Sequence, residues 1–333
     1  MKAVMARSPG KLALGEVTKP AADEYEALVR LDACAICNST DHKLMTNEFC
    51  PGVFPVVLGH ESVGTVVEVG PKVRNFKVGD RVFRQRLADK YVPGGRSCWG
   101  GFAEFGTVCD EWARQDVPYG PDQLPHDQQK LLLNVEPALA TGMVTLMECL
   151  DCITACGAKK GVSVAVVGSG PVAQALSMFA KLLGASPVFA FGRKPEHSDR
   201  FARVSRIDGY VAGPELPADV KKVVEAGGFD VVVEAVGAAD ALDRCLQLAG
   251  ANGKVCIYGI APASAPYRPE QKKPNVSHVG AKEGRVQGKL VAYVQAGKVD
   301  LNDWVTHRLP FIEYQKAFDM VAQKKALKAV LIP

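Results

Sequence analysis

Apolar and polar positions change rhythm once along the chain. Up to about residue 140 the apolar runs are short and separated by Gly, Pro and charged residues, as in "EALVRLDAC", "GTVVEVG", "GDRVF" and "GFAEFGTVC". Short Val-rich runs between turn residues predict strands, so this part reads as β-rich. From Gly161 the pattern alternates. "GVSVAVVGSG" predicts a buried strand ending in a glycine turn, "PVAQALSMFAKLLGA" has helical spacing, and "SPVFAFG" is a strand again. A strand, helix, strand sequence predicts a parallel sheet with helices on its faces. "GFDVVVEAVGA", "ALDRCLQLAGANG" and "KVCIYGI" continue it, residues near 262–288 read as a Pro- and Lys-rich loop or crossover, and "FIEYQKAFDMVAQKKALKAVLIP" predicts an amphipathic helix followed by a strand.

Length and charge narrow the picture further. A chain of 333 residues predicts two domains. The net charge of +4 is spread along it with no basic block or aromatic platform, so neither a nucleic acid nor a membrane surface is expected as partner. No run of about 18 apolar residues and no leader pattern at "MKAVMARSPGKLALGEV" is visible, which predicts a soluble, cytoplasmic protein acting on a small molecule. The ten cysteines are irregularly spaced and read as thiols or metal ligands, not as a disulfide framework. Cys149, Cys152 and Cys156 fall on one helical face, where small apolar packing is the ordinary use of cysteine.

Two stretches carry chemistry. Gly168, Ser169, Gly170, Pro171, Val172 and Ala173 form a G-x-G-x-x-A turn between a strand and a helix. The first Gly permits the tight turn, the second admits a pyrophosphate, and the small last residue lets helix and strand pack, so a dinucleotide is expected. Where an NAD site would offer an acid to the ribose, this chain has Gly192 followed by Arg193 and Lys194, which favours NADP(H). The second stretch is "VVLGHESVGTVVEVG", where His60 and Glu61 interrupt an apolar run. Burying such a pair is costly unless something compensates it. Catalytic zinc takes about three ligands from Cys, His and carboxylate, leaving one position for water or substrate. Cys37 and His60, with either Glu61 or Glu136, would supply that set.

These motifs, in this order, resemble the zinc-dependent medium-chain alcohol and polyol dehydrogenases. The likeness runs through "CAICNSTDH", "LGHESVGTVVEVG", "FKVGDRVF", "GGFAEF", "VEP", "GSGPVA", "DVVVEAVG", "GKVCIYG" and "HRLPFIEYQKAF". It implies a β-rich GroES-like catalytic domain, residues 1–140 and 285–333, with a Rossmann domain of doubly wound parallel sheet, residues 141–284, inserted in it. It further implies one zinc on Cys37, His60 and an acid, a proton relay through Ser39 and His42, and a homodimer or homotetramer. Three departures accompany it, one being several extra residues at "MECLDCITAC" between "VEP" and the glycine turn. Only Cys98 and Cys109 lie where the family's structural-zinc lobe has four cysteines, so no structural zinc is expected, and the acid that supports the histidine stands one residue late, with Thr40 in its place and Asp41 after it. The expected activity is hydride transfer between NADP(H) and a secondary alcohol or ketone, with a polyol, sugar or cyclitol as substrate. A zinc-free NADPH reductase of an activated double bond or quinone, and a dinucleotide-binding protein without turnover, are the alternatives.

Overall fold

A computed structural model describes residues 1–251 and 253–333; Asn252, within the predicted segment "ALDRCLQLAGANG", lies outside them. The chain divides into two compact units, Met1–Met147 with Lys282–Pro333, and Glu148–Ala281.

Among the described residues, the inserted unit is built on one parallel sheet. Its order across is Gly209–Ala212, Val188–Gly192, Val164–Val167, Val231–Glu234, Lys254–Ile257 and Val276–His278. In chain order this is 3-2-1-4-5-6, the doubly wound arrangement in which the connections diverge between the first and fourth strands. "VAVV" and "VVVE" are buried at every position, as strands covered on both faces must be. Helix Pro171–Leu182 begins with Pro at its first position, where the missing N–H costs nothing, and buries Ala173, Leu176 and Phe179. Residues 262–288 are more ordered than their composition predicts. A 3₁₀ turn, Pro269–Gln271, leads to strand Val276–His278, which adds to the sheet edge beside Lys254–Ile257. An edge strand of three residues with only Val276 half-buried leaves too short a pattern to read.

The other unit holds two sheets. One runs Lys11–Glu16, Lys2–Ser8, Val56–Val57, Arg96–Ser97; the other runs His307–Pro310, Ala329–Ile332, Glu26–Ala35, Glu61–Val69, Arg81–Phe83, with Phe105–Cys109 also paired to Glu26–Ala35. Residues from the end of the chain are therefore structural members of a unit that starts at its beginning. Helix Tyr314–Ala322 turns Ala317, Phe318 and Val321 into a core shared with Leu31, Leu58, Phe102 and Leu331. Helix Pro137–Cys156 is long and apolar enough to cross a membrane by length and composition, but 78% of that stretch is buried inside the protein, the pattern of a core helix. Cys149, Cys152 and Cys156 are buried on it, with Cys152 and Cys156 sulfurs 4.0 Å apart and Cys149 Sγ 3.8 Å from the Val172 carbonyl oxygen.

Candidate active site

Among the described residues, one group of side chains offers a metal three donors. The ligand atoms of Cys37, His60 and Glu61 all lie within 4.8 Å of one another. Cys37 follows the long strand Glu26–Ala35, while His60 and Glu61 sit at the start of its antiparallel partner, where Ala35 pairs with Glu61. The pairing register thus brings residues 24 positions apart to one end of one sheet. Asp41, fully buried, backs the group: its Oδ2 accepts from the Cys37 N–H at 2.8 Å and its Oδ1 from the Gly59 N–H at 3.3 Å. The same Oδ1 is 3.4 Å from His60 Nδ1, close enough for charge attraction but not aligned as a hydrogen bond. The shifted acid therefore takes the supporting position, because helix Thr40–Met45 starts at Thr40 and buries Asp41 in its first turn. Burial alone would lower the imidazole's affinity for a proton. Asp41's charge, and then the Cys37 thiol, outweigh it and hold His60 well above its usual pKa. An imidazole backed on Nδ1 by a buried carboxylate, with a thiol and a second carboxylate within reach, fits a zinc ion. Trp99, whose ring centre is 5.2 Å from that of His60, walls the imidazole; its backbone φ of +64° is a conformation few residues of its size adopt.

Glu61 already has a counter-charge. Lys328 Nζ donates to Oε2, and Thr145 Oγ1 donates to Oε1 at 2.7 Å. Burial would raise this carboxyl's pKa, but Lys328, with His60, brings it below the ordinary value. Neither Lys328 nor Thr145 stands out in the sequence. Glu136 is not brought to the group. It forms a two-pronged pair with Arg308, 2.9 and 3.0 Å, at a half-exposed position, so moving it to a metal would break both bonds. Of the two acids left open by the sequence, the structure places Glu61 with Cys37 and His60. Ser39 precedes helix Thr40–Met45 and its Oγ accepts from Lys43 Nζ at 3.1 Å; His42 is exposed on the same helix. Trp112, by contrast, is core, fully buried with its indole N–H donating to the Gly120 carbonyl at 2.9 Å.

The glycine turn lies at the carboxyl end of strand Val164–Val167. Gly168 has φ of +146°, and a Cβ there would crowd Ala173 at 3.1 Å, so the small residue at the end of the motif is what the turn needs. At Gly170 an added Cβ would meet no protein atom within 4 Å, leaving backbone open for a pyrophosphate to approach. Gln174, almost fully buried, donates to the Ser169 carbonyl at 3.1 Å and fixes the turn against the helix that Pro171 and Val172 open. Arg193 and Lys194 are exposed just past the next strand. Sequence reasoning missed Tyr210. A Cβ on Gly192 would collide with its hydroxyl, which donates to the Lys194 carbonyl at 2.9 Å. A side chain at 192 would have to push the Tyr210 hydroxyl aside.

A doubly wound nucleotide unit inserted in a β-rich unit with a Cys, His, Glu centre defines a class, and comparison with known proteins agrees. Residues 23–118 match the alcohol dehydrogenase GroES-like domain and residues 171–306 the zinc-binding dehydrogenase family. The chain belongs to the zinc-dependent medium-chain dehydrogenase family and is an oxidoreductase of alcohol dehydrogenase type. L-threonine 3-dehydrogenase of Sinorhizobium medicae is 30% identical over 95% of this chain and 93% of its own length. D-arabinitol dehydrogenase 1 of Uromyces fabae is 28% identical over 100% and 97%. Among solved structures, alcohol dehydrogenase TADH from Thermus sp. ATN1 has a TM-score of 0.78 at 26% identity, covering 100% of this chain and 99% of that one.

Proposed function

We propose that the protein is a zinc-dependent dehydrogenase that transfers a hydride between NADP(H) and a secondary alcohol or ketone, with a polyol, sugar or cyclitol as substrate. The observation that carries this reading is the convergence of Cys37, His60 and Glu61 in front of Asp41. Zinc, when bound, would polarise the substrate oxygen as a Lewis acid, and the nicotinamide would exchange the hydride. The remaining work falls to the chain. Cys37, His60 and Glu61 hold the metal, and Asp41 orients the imidazole from behind. Ser39 Oγ accepts the proton of the substrate hydroxyl while its own hydroxyl proton passes towards His42, which is exposed and exchanges a proton with bulk water. Lys43 Nζ donates to Ser39 Oγ at 3.1 Å and orients that hydroxyl for the transfer. The turn from Gly168 to Ala173 receives the pyrophosphate, and Arg193 and Lys194 pair with a 2′-phosphate beside the Tyr210 hydroxyl. The polyol preference rests on likeness to the arabinitol enzyme.

Elemental analysis of protein purified without a metal-affinity tag tests the reading. About one zinc per chain is expected, with loss of zinc and turnover together on dialysis against a chelator. Zinc-free protein that turns over with NADPH would overturn it and favour the reductase of an activated double bond or quinone. One feature favours that second reading: Lys328 compensates Glu61 without any metal.

A further inference from the structure

A buried carboxylate outside the metal group has no role in the chemistry above. Glu234 closes strand Val231–Glu234 and is fully buried. Its Oε1 accepts from the backbone N–H groups of Val236 and Gly237, at 2.8 and 2.9 Å, and its Oε2 from the Tyr267 hydroxyl at 2.6 Å. The Tyr267 oxygen is also 3.1 Å from the Gly259 carbonyl oxygen. One carboxylate thus ties the turn after its own strand to the segment that follows strand Lys254–Ile257. Gly237 completes the fit: its φ is +82°, and a Cβ there would strike the backbone of Ile260.

The turn that Glu234 folds is the neighbour of the glycine motif. Ala235 N–H donates to the Val167 carbonyl at 2.9 Å, and the space beside Gly168 is bounded by Ala235, whose Cβ and carbonyl oxygen would both lie 3.4 Å from an added Cβ. Both turns stand at the carboxyl ends of adjacent parallel strands where the strand order reverses, the place where open sheets of this type bind ligands. Val236, in the turn that Glu234 folds, is 43% exposed.

We propose that Glu234 and Tyr267 are positioning residues for the dinucleotide: together they hold residues 235–237 in the conformation that borders the glycine turn. The proposal rests on the reading of that turn as a dinucleotide site. Glu234 acts through the backbone it organises and does not touch the reacting atoms. The hydrogen-bond pattern predicts which substitutions are tolerated. In Glu234→Gln the amide oxygen can accept the same two N–H groups while the amide NH₂ donates to the Tyr267 oxygen, whose own proton turns to the Gly259 carbonyl. In Tyr267→Phe the carboxylate loses the partner that anchors Oε2, so it no longer holds the Val236 and Gly237 N–H groups in one place, and in Glu234→Ala the turn loses its acceptor altogether.

The test is NADPH affinity by fluorescence titration on the zinc-loaded enzyme, with melting temperature and kcat at saturating NADPH measured beside it. Tyr267→Phe is expected to weaken NADPH binding about tenfold while kcat at saturation stays within about twofold and the melting temperature changes little. Glu234→Gln is expected to bind within about threefold of wild type, and Glu234→Ala to lose at least as much as Tyr267→Phe. Unchanged NADPH affinity in Tyr267→Phe, or equal losses in the Gln and Ala variants, would overturn the proposal. Wild-type protein that binds neither NADPH nor NADH would overturn the dinucleotide reading itself, and this inference with it.

Discussion

The side chain of Glu61 meets its counter-charge 267 positions later, at Lys328. Both groups are almost fully buried, so each depends on the other far more than a surface pair would. Lys328→Met should destabilise zinc-free protein by about 3 kcal/mol or more, because the carboxylate is left buried without compensation. Zinc would supply the missing positive charge, so the loss should shrink in zinc-loaded protein; urea unfolding of the two forms measures the difference. Equal losses in both forms would mean that Glu61 does not face the metal. This dependence also explains what sequence reading reached at the residue scale. His60 and Glu61 stand out because two ionisable groups interrupt an apolar run. Lys328 and Thr145 do not, since a lysine near a chain end and a threonine in a helix look ordinary until the fold joins them to Glu61. Glu136, attractive beside its proline, turns instead to Arg308, another partner that no local pattern reveals.

The glycine turn is legible because its geometry is local: strand, tight turn and helix N-terminus follow one another within ten residues, and each imposes its own residue type. The cofactor-selecting element is only half legible. Gly192 advertises a missing acid, but the sequence does not show that the Tyr210 hydroxyl, from strand Gly209–Ala212, takes up the space a side chain at 192 would enter. Gly192→Asp must therefore displace Tyr210 and place a negative charge where a 2′-phosphate would sit. The ratio of kcat/KM for NADPH over NADH should fall by about tenfold or more, and steady-state kinetics with both cofactors measures it. An unchanged ratio would remove Gly192, Arg193 and Lys194 from cofactor selection. The segment at 262–288 shows the opposite failure: its strand is real but too short and too exposed to leave a periodic signal.

At the scale of the whole molecule the cysteines report on stability. Cys50 is exposed, whereas Cys34, Cys149, Cys152, Cys156, Cys245 and Cys256 are buried, and burial raises the pKa of the Cys34 and Cys245 thiols while neighbouring thiols raise those of Cys156 and Cys256. Buried neutral thiols are poor nucleophiles. In native protein Cys50 should react with a thiol reagent promptly, and the six buried thiols only as the molecule opens, which peptide mapping over time resolves. Prompt labelling of any of the six would reveal a local opening that the packing does not suggest. Periodicity changes near Gly161, inside the inserted unit, whereas the chain's return to its first unit leaves no such pattern: the tail reads as one helix and one strand, and its place with the first residues is implied by the family resemblance alone.

That return sets an order of events during synthesis. The inserted unit is continuous, Glu148–Ala281, and all six strands of its sheet are available once residue 281 has left the ribosome. The sheet that carries Glu61 waits longer, because strand Ala329–Ile332 lies between His307–Pro310 and Glu26–Ala35 and Lys328 comes immediately before it. A growing chain can therefore complete its nucleotide fold before Lys328 is made, while Glu61 still lacks its counter-charge.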